Sequence, residues 1–171
     1  ALPVSVNISP VQMRKGRLRE SVLRALNESG LAPSLLALEI TESAVMEDIT
    51  SAARLLDDLH AIGVQIEIDD FGTGHSSLAY LKQLPIQRLK VDRSFIRDIP
   101  GDPDDTAIVE AIISLATSLK IGIIAEGVEH AEEAEMLKEL GCNLAQGYHF
   151  SRPHSEKDIT DKLIAWAKEG K

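Results

Sequence analysis

Acidic, amide and basic side chains occur at the ends of short β-rich runs along the whole sequence. They are Asn7, Glu39, Asp69, Lys90, Glu126 and Gln146, and Asp70 follows Asp69 directly. The carboxyl ends of parallel strands meet on one side of a sheet, and barrel enzymes place their sites there. We therefore expect these side chains to form one functional site.

The charges of this set indicate its chemistry. Its four carboxylates face a single cation, Lys90, and an excess of negative charge in a concave site is costly unless cations or protons bind. Oxygen ligands without His or Cys favour a hard ion, Mg²⁺ or Mn²⁺. The adjacent pair Asp69 and Asp70 suits two ions about 3.5–4 Å apart, the arrangement that activates water and stabilises the leaving oxygen of a phosphodiester. Lys90 would then orient the nucleophile or neutralise charge on phosphorus.

Other interpretations of these residues remain open at this point. Lys90 also admits a Schiff base with a carbonyl substrate, although that reaction needs a lowered lysine pKa and neighbouring carboxylates would raise it. A structural ion pair inside the fold accounts for Glu67 with Arg88. If one face of the sheet were exposed to water, the polar side chains on it would need no functional explanation. The helices predicted after each strand argue against such a face, because they would cover the sheet.

Two periodicities alternate along the chain and predict its elements. The predicted strands are Val4–Ile8, Leu36–Ile40, Val64–Asp69, Arg88–Val91, Ile121–Ala125 and Asn143–Gln146. The predicted helices are Val11–Ser29, Ile49–Ile62, Ser76–Leu81, Asp104–Leu119, Ala131–Leu140 and Ser155–Lys168. Side chains of one parity are apolar in the strands, and we expect that face to pack under the helices.

This alternation predicts an α/β fold with a parallel sheet. A (β/α)8 TIM-like barrel has eight such units in typically about 250 residues, whereas six are found in these 171 residues. The chain starts almost directly on a strand, so we expect a barrel that lacks its first one or two β/α units. An open doubly wound sheet is the alternative architecture.

The composition excludes several classes of protein. Hydrophobic residues make up 44% and charged residues 26%, as in an ordinary globular domain. A net charge of −9 and few aromatic residues argue against a nucleic-acid partner. The single cysteine, Cys142, excludes an internal disulfide. With no membrane-spanning run or signal segment, we expect a cytoplasmic domain without direct membrane contact, although its parent protein can be membrane-anchored.

The candidate residues lie within ordered motifs. In chain order these are NISPVQ at 7–12, LEITES at 38–43, DDFGTGHSSL at 69–78, LKVDRSFI at 89–96, AEGVE at 125–129 and QGYHFSRP at 146–153. Together they resemble the EAL-domain phosphodiesterases, bacterial signal-transduction enzymes that hydrolyse cyclic di-GMP to linear pGpG. The resemblance covers nearly the whole chain.

The resemblance implies a (β/α)8-type barrel with two divalent cations, Mg²⁺ or Mn²⁺. It implies metal ligation by Asn7, Glu39, Asp69, Asp70 and Glu126. It makes Lys90 and Glu126 the catalytic residues, with Lys90 positioning or polarising the attacking water. Gln146 and Asp70 would contact the cyclic di-GMP substrate.

The resemblance also implies how the site is coupled to its surroundings. Glu42 would anchor the loop after Asp70, and in the family this loop links the metal site to the dimer interface. The loop residues concerned are Phe71, Gly72, Thr73 and Gly74. Glu129 would act on the second ion through water, and the alternative for this residue is a solvated position at the start of a helix. A homodimer is the expected assembly, with a sensor or diguanylate-cyclase-like domain upstream in the parent protein.

One departure from the family pattern affects the expected activity. The Glu-Ala-Leu motif that names the family, whose glutamate ligates a metal, does not occur in this sequence. We interpret residues 1–171 as a single, N-terminally truncated EAL-type domain, expected to be inactive or weakly active alone and to associate through an open barrel edge. The alternative function is a catalytically inactive EAL-type receptor for cyclic di-GMP, although such receptors usually lose residues that are present here.

Overall fold

A computed structural model describes residues 2–73, 81–99 and 101–168. Its strands are β1 (Val4–Ile8), β2 (Leu36–Thr41), β3 (Gln65–Phe71), β4 (Arg88–Val91) and β5 (Gly122–Ala125). Its helices are α1 (Pro10–Arg14), α2 (Leu18–Ser29), α3 (Glu42–Glu47), α4 (Ile49–His60), α5 (Arg93–Ile96), α6 (Pro103–Leu119), α7 (Ala131–Glu139) and α8 (Glu156–Lys168), with a 3₁₀ turn at Pro33–Leu35. All but the last residue of the helix predicted over Ser76–Leu81 lies outside the described residues.

The strands form one parallel sheet whose spatial order is the order in the chain, β1-β2-β3-β4-β5. Within the described residues, β1, β2, β4 and β5 are each followed by helix, as the alternation predicted. The strand predicted at Asn143–Gln146 is reduced to a single parallel bridge between Ala125 and Ala145. The carboxyl ends of all five strands therefore lie along one edge of the sheet.

The helix predicted over Val11–Ser29 was wrong in its continuity. It is two helices, α1 and α2, and Gly16 between them adopts a left-handed conformation with φ of 65°. The start was predicted correctly: the Ser9 side chain accepts from the backbone N–H of Gln12, and Pro10 occupies the first turn. The helices α3 and α5, which the sequence analysis missed, are single short segments directly after strands and are too brief to show a helical period.

The apolar face of the sheet packs under the helices along most of its width. Six valine, leucine and isoleucine side chains of the strands are at most 2% exposed there, Leu38, Ile40, Ile66, Ile68, Leu89 and Val91. Burying each such side chain contributes roughly 1.5–3 kcal/mol. At β1 the expectation was wrong: Val4 and Val6 are 49% and 43% exposed. As the edge strand, β1 has a neighbour on one side only, and no described helix covers these two valines.

Candidate functional site

Lys90 is the centre of a cluster of charges drawn from three strands and from the residue that follows a fourth. It lies on β4 and is 2% exposed. Its Nζ is 2.9 Å from Glu39 Oε2 on β2 and 3.1 Å from Asp69 Oδ1 on β3. The same atom is 2.5 Å from Oε1 of Glu126, directly after β5. The structure thus brings together the predicted lysine and three of the predicted carboxylates.

Asp69 and Asp70 reach this cluster together because β3 is irregular at its end. Consecutive residues of a regular strand point to opposite faces. Here the register with β4 shifts between Ile68 and Phe71, and Asp70 takes a left-handed φ of 55°. Side-chain oxygens of Asp69, Asp70 and Glu126 consequently lie within 4.8 Å of one another.

This grouping suits a divalent cation. Its donors are carboxylate oxygens, the ligands that Mg²⁺ and Mn²⁺ prefer. Three such oxygens at this spacing can converge on one ion, and Glu39 is joined to the group through Lys90. The chemistry of the donor set therefore fits the metal ions expected from the sequence.

The electrostatics of Lys90 argue against the role of a Schiff-base nucleophile. Burial works against its charge, but hydrogen bonds to Glu126, Glu39 and Asp69 outweigh burial and raise the pKa of Lys90 above its ordinary value. A Schiff-base lysine needs the opposite shift. Lys90 instead joins the carboxylates through its three contacts with Glu39, Asp69 and Glu126.

The pKa values of two carboxylates of the cluster are raised above their ordinary values. Burial raises the pKa of Glu126 to about 7, with Asp69 and Glu39 adding to the rise and Lys90 opposing it. Burial also raises the pKa of Asp70, helped by the charges of Asp69 and Asp92. The cluster carries more negative charge than its single lysine satisfies, which is the condition for binding a cation.

Asn7 and Gln146 lie at the two margins of the cluster. Asn7 is exposed on the edge strand β1, in register with Glu39 on β2. Gln146 Nε2 donates to Glu126 Oε1 over 2.5 Å and is exposed. An exposed amide next to each end of the carboxylate group is suitably placed to contact a ligand or an ion.

The segment after Asp70 is attached to the sheet by Glu42. This glutamate is 2% exposed, and its Oε2 accepts from the backbone N–H of Gly72 at 3.0 Å. Phe71 is buried, while the hydroxyl of Thr73 donates to the carbonyl of Asp70 at 2.9 Å. The predicted loop residue Gly74 lies outside the described residues. For the described start of the loop, the structure places Glu42 where an anchor would have to be.

Glu129 lies apart from the carboxylate group. Its Oε1 is 3.8 Å from Nη2 of Arg93, and its backbone N–H donates to Glu133 at 2.7 Å. Between Glu126 and Glu129 the chain turns at Gly127, where φ is 69° and an added Cβ would lie 2.3 Å from the Cβ of Arg93. Glycine is therefore required here, and the role of Glu129 toward an ion stays a prediction.

The sequence analysis did not assign Asp92 to the site. This aspartate caps α5 by accepting from the backbone N–H of Ser94, and its charge acts on Asp70. The sequence did contain a signal for Asp92: it follows Lys90 by two residues, and residues two apart along a strand face the same side.

The structural ion pair predicted for Glu67 with Arg88 is present, with Arg88 Nη1 at 2.5 Å from Glu67 Oε1.

Comparison with known proteins gives the following matches. Residues 1–153 match the protein family described as EAL domain. MucR of Pseudomonas aeruginosa, a bifunctional diguanylate cyclase/cyclic di-GMP phosphodiesterase, is 49% identical over 150 residues, which cover 88% of this chain and 22% of MucR. The chain spans about a fifth of the length of the curated relatives it matches.

Solved structures match equally well. The PaMucR phosphodiesterase in complex with c-di-GMP gives a TM-score of 0.89 at 46% identity, covering 92% of this chain and 64% of that one. A manganese and cyclic di-GMP complex of Klebsiella pneumoniae BlrP1 at pH 9.0 gives 0.77 at 34% identity, covering 88% and 39%. These matches confirm the TIM-like barrel class for this parallel sheet.

Within the part of the chain that the structure describes, none of the helices combines the length and apolarity of a membrane span.

Proposed function

The chain belongs to the EAL domain family, and we propose that its cluster around Lys90 hydrolyses a phosphodiester bond of cyclic di-GMP to give linear pGpG. One observation carries this proposal: carboxylate oxygens of Asp69, Asp70 and Glu126 lie within 4.8 Å of one another beside a buried lysine. Support comes from a relative named as a cyclic di-GMP phosphodiesterase and from neighbours solved with cyclic di-GMP and with manganese.

The proposed cofactors are two divalent cations, Mg²⁺ or Mn²⁺. Their ligands would be Asn7, Glu39, Asp69, Asp70 and Glu126. When bound, two such ions supply an activated water and stabilise the leaving oxygen of a phosphodiester. The oxygen-only donor set supports this assignment over zinc, for which His and Cys ligands are typical.

The protein's own groups would perform the remaining work. Lys90 fixes Glu39, Asp69 and Glu126 by three charged hydrogen bonds, so these ligands are positioned before any ion arrives. Its ammonium group also supplies positive charge beside the position where charge develops on phosphorus. Gln146 fixes the Glu126 carboxylate from the exposed side and, with Asp70, would contact the substrate.

We also propose the wider setting of the site. Residues 1–171 would form one EAL-type domain of a cytoplasmic homodimer, with the segment from Phe71 to Gly74, anchored by Glu42, coupling the site to the dimer interface. The bifunctional architecture of MucR supports an upstream diguanylate-cyclase-like or sensor domain in the parent protein. Turnover by this chain alone would be weak, because its sequence contains no Glu-Ala-Leu motif.

The test is hydrolysis of cyclic di-GMP by this chain with Mn²⁺, followed by separation of pGpG after long incubation at high protein concentration. We expect weak turnover that Asp69→Asn abolishes and Asp98→Asn leaves unchanged, because Asp98 is an exposed partner of Arg97. Tight binding of cyclic di-GMP without turnover would identify a receptor instead. Absence of both binding and turnover would overturn the proposed function.

A further inference from the structure

A further buried carboxylate, Glu67, lies next to the proposed ligands: it is on the same strand as Asp69 and on the strand beside Glu39. Glu67 on β3 is in register with Glu39 on β2 and with Arg88 on β4. Its side chain is 2% exposed. A buried carboxylate at this point would add negative charge to a cluster that already has more than Lys90 satisfies.

Both oxygens of Glu67 have donors. Oε1 accepts from Arg88 Nη1 at 2.5 Å, and Oε2 accepts from the hydroxyl of Ser5 at 3.3 Å. Glu67 and Arg88 line a cavity of about 430 Å³ that Gln146 also lines. The pair therefore lies on the same side of the sheet as the site.

The neighbouring strand leaves room for Arg88. On β5, Gly122 is in register with Arg88, and an added Cβ there would lie 3.2 Å from Arg88 Cγ. Gly122 does not have a positive φ, and an added Cβ would also lie 3.3 Å from the backbone carbonyl oxygen of Gln87, so close packing against β4 and the residue before it favours glycine at this position. Arg88 thus lies across the sheet interior with one third of its side chain exposed.

We propose that Arg88 is a positioning residue for the cluster around Lys90: it neutralises Glu67, so that Lys90 stays shared among Glu39, Asp69 and Glu126. This inference rests on the proposed function. The Glu67–Arg88 pair sets the charge that an incoming divalent cation meets, although neither residue is a proposed ligand. A purely structural ion pair would have no such effect on metal affinity.

The test is calorimetric titration of the 171-residue chain with Mn²⁺, with thermal melting to check folding. Arg88→Met leaves Glu67 unpaired, and we expect Mn²⁺ to bind more tightly, on the order of fivefold. Glu67→Gln leaves Arg88 unpaired, and we expect weaker binding by a similar factor. The double variant Glu67→Gln/Arg88→Met and the charge-conserving Arg88→Lys should both bind like the unmodified chain.

The controls separate this charge effect from structural damage. Arg14→Met removes the cation of an exposed ion pair with Glu47 and should leave Mn²⁺ affinity unchanged. If Arg88→Met does not fold, Glu67→Gln still tests the sign, because the Arg88 side chain that it leaves unpaired is one third exposed to water. The inference is overturned if both single variants bind Mn²⁺ more weakly, or if neither changes its Mn²⁺ affinity. In either case, Mn²⁺ binding by the unmodified chain still supports the proposed site. No Mn²⁺ binding by the unmodified chain overturns the proposed function, and this inference with it.

Discussion

At the scale of single residues, the main feature is a lysine that satisfies several carboxylates at once. Nζ of Lys90 has three carboxylate partners within 3.1 Å, on β2, on β3 and after β5. Removing one member of a buried charge group leaves the others uncompensated, which costs more than the intact group contributes. The stability of the fold is therefore expected to fall when Lys90 is removed and to rise when a metal cation binds to the carboxylates.

Lys90→Met is expected to lower the free energy of unfolding by about 3 kcal/mol in EDTA, because Glu39, Asp69 and Glu126 lose their common partner. Saturating Mn²⁺ should restore part of this loss, since a bound cation replaces the missing charge. Urea unfolding with and without Mn²⁺ measures both effects. The exposed Lys157→Met on α8 is the control, and equal stability of the two variants would contradict the prediction.

Glu126 should make the metal-free protein less stable as the pH rises. Its pKa is raised from 4.5 to about 7 in the folded chain, so folding takes up a proton between these values. Its contribution to stability is therefore fully present below about pH 4.5 and is lost as the pH rises through about 7. Mn²⁺ competes with this proton, so stabilisation by Mn²⁺ should grow over the same range.

Melting temperatures in EDTA and in Mn²⁺, taken at several pH values across this range, measure these opposite trends. Glu126→Gln cannot release a proton and should lose the component of the pH dependence that belongs to this residue. An unchanged pH profile in Glu126→Gln would assign the titration to another group.

At the scale of the elements, the end of β3 decides whether the site forms. The left-handed conformation of Asp70 and the shift in register bring two consecutive carboxylates to one side. Apolar and polar residues alternate along the strands, and this period of two predicted both the strands and the polar side chains at their ends. The irregularity at Asp70 has no such period, and short helices such as α5 are set by caps rather than by pattern. The sequence thus predicted which residues meet, but not the backbone that lets Asp69 and Asp70 meet.

Two substitutions at Asp70 separate its backbone conformation from its charge. Asp70→Asn should keep the stability of the fold, because Asn tolerates a left-handed φ. Asp70→Val should lose roughly 1–3 kcal/mol, because a β-branched residue is strained there. Urea unfolding measures stability, and Mn²⁺ titration should show weakened binding in both variants. Equal stability of the two would show that the conformation at Asp70 carries no strain.

At the scale of the whole molecule, the sheet has an uncovered margin. Val4 and Val6 are exposed on β1, and no described residue pairs with its outer edge. Apolar side chains next to unpaired backbone groups favour strand pairing between molecules. We therefore propose the outer edge of β1 as the surface through which this chain would associate.

The double variant Val4→Lys/Val6→Lys is expected to reduce self-association, because charges on an edge strand oppose pairing with another edge. Sedimentation velocity over a range of protein concentrations measures the change. Val11→Lys is the matched control, since Val11 is 47% exposed but lies on α1 rather than on the edge strand. Identical sedimentation of the double variant and the control would place the association elsewhere.

The sequential order of the strands also bears on how the chain folds. Each strand pairs with the next strand in the chain, so each pairing closes a loop of only one βα unit, the most local pairing that a parallel sheet allows. The partners of Lys90 nevertheless come from three separate units. A sheet missing β4 would hold buried carboxylates without their cation, and partly assembled intermediates are penalised for that reason. We therefore expect strands β2 to β5 to fold cooperatively, because Lys90 links carboxylates from several of them. Pairing between neighbouring strands alone would give less cooperativity.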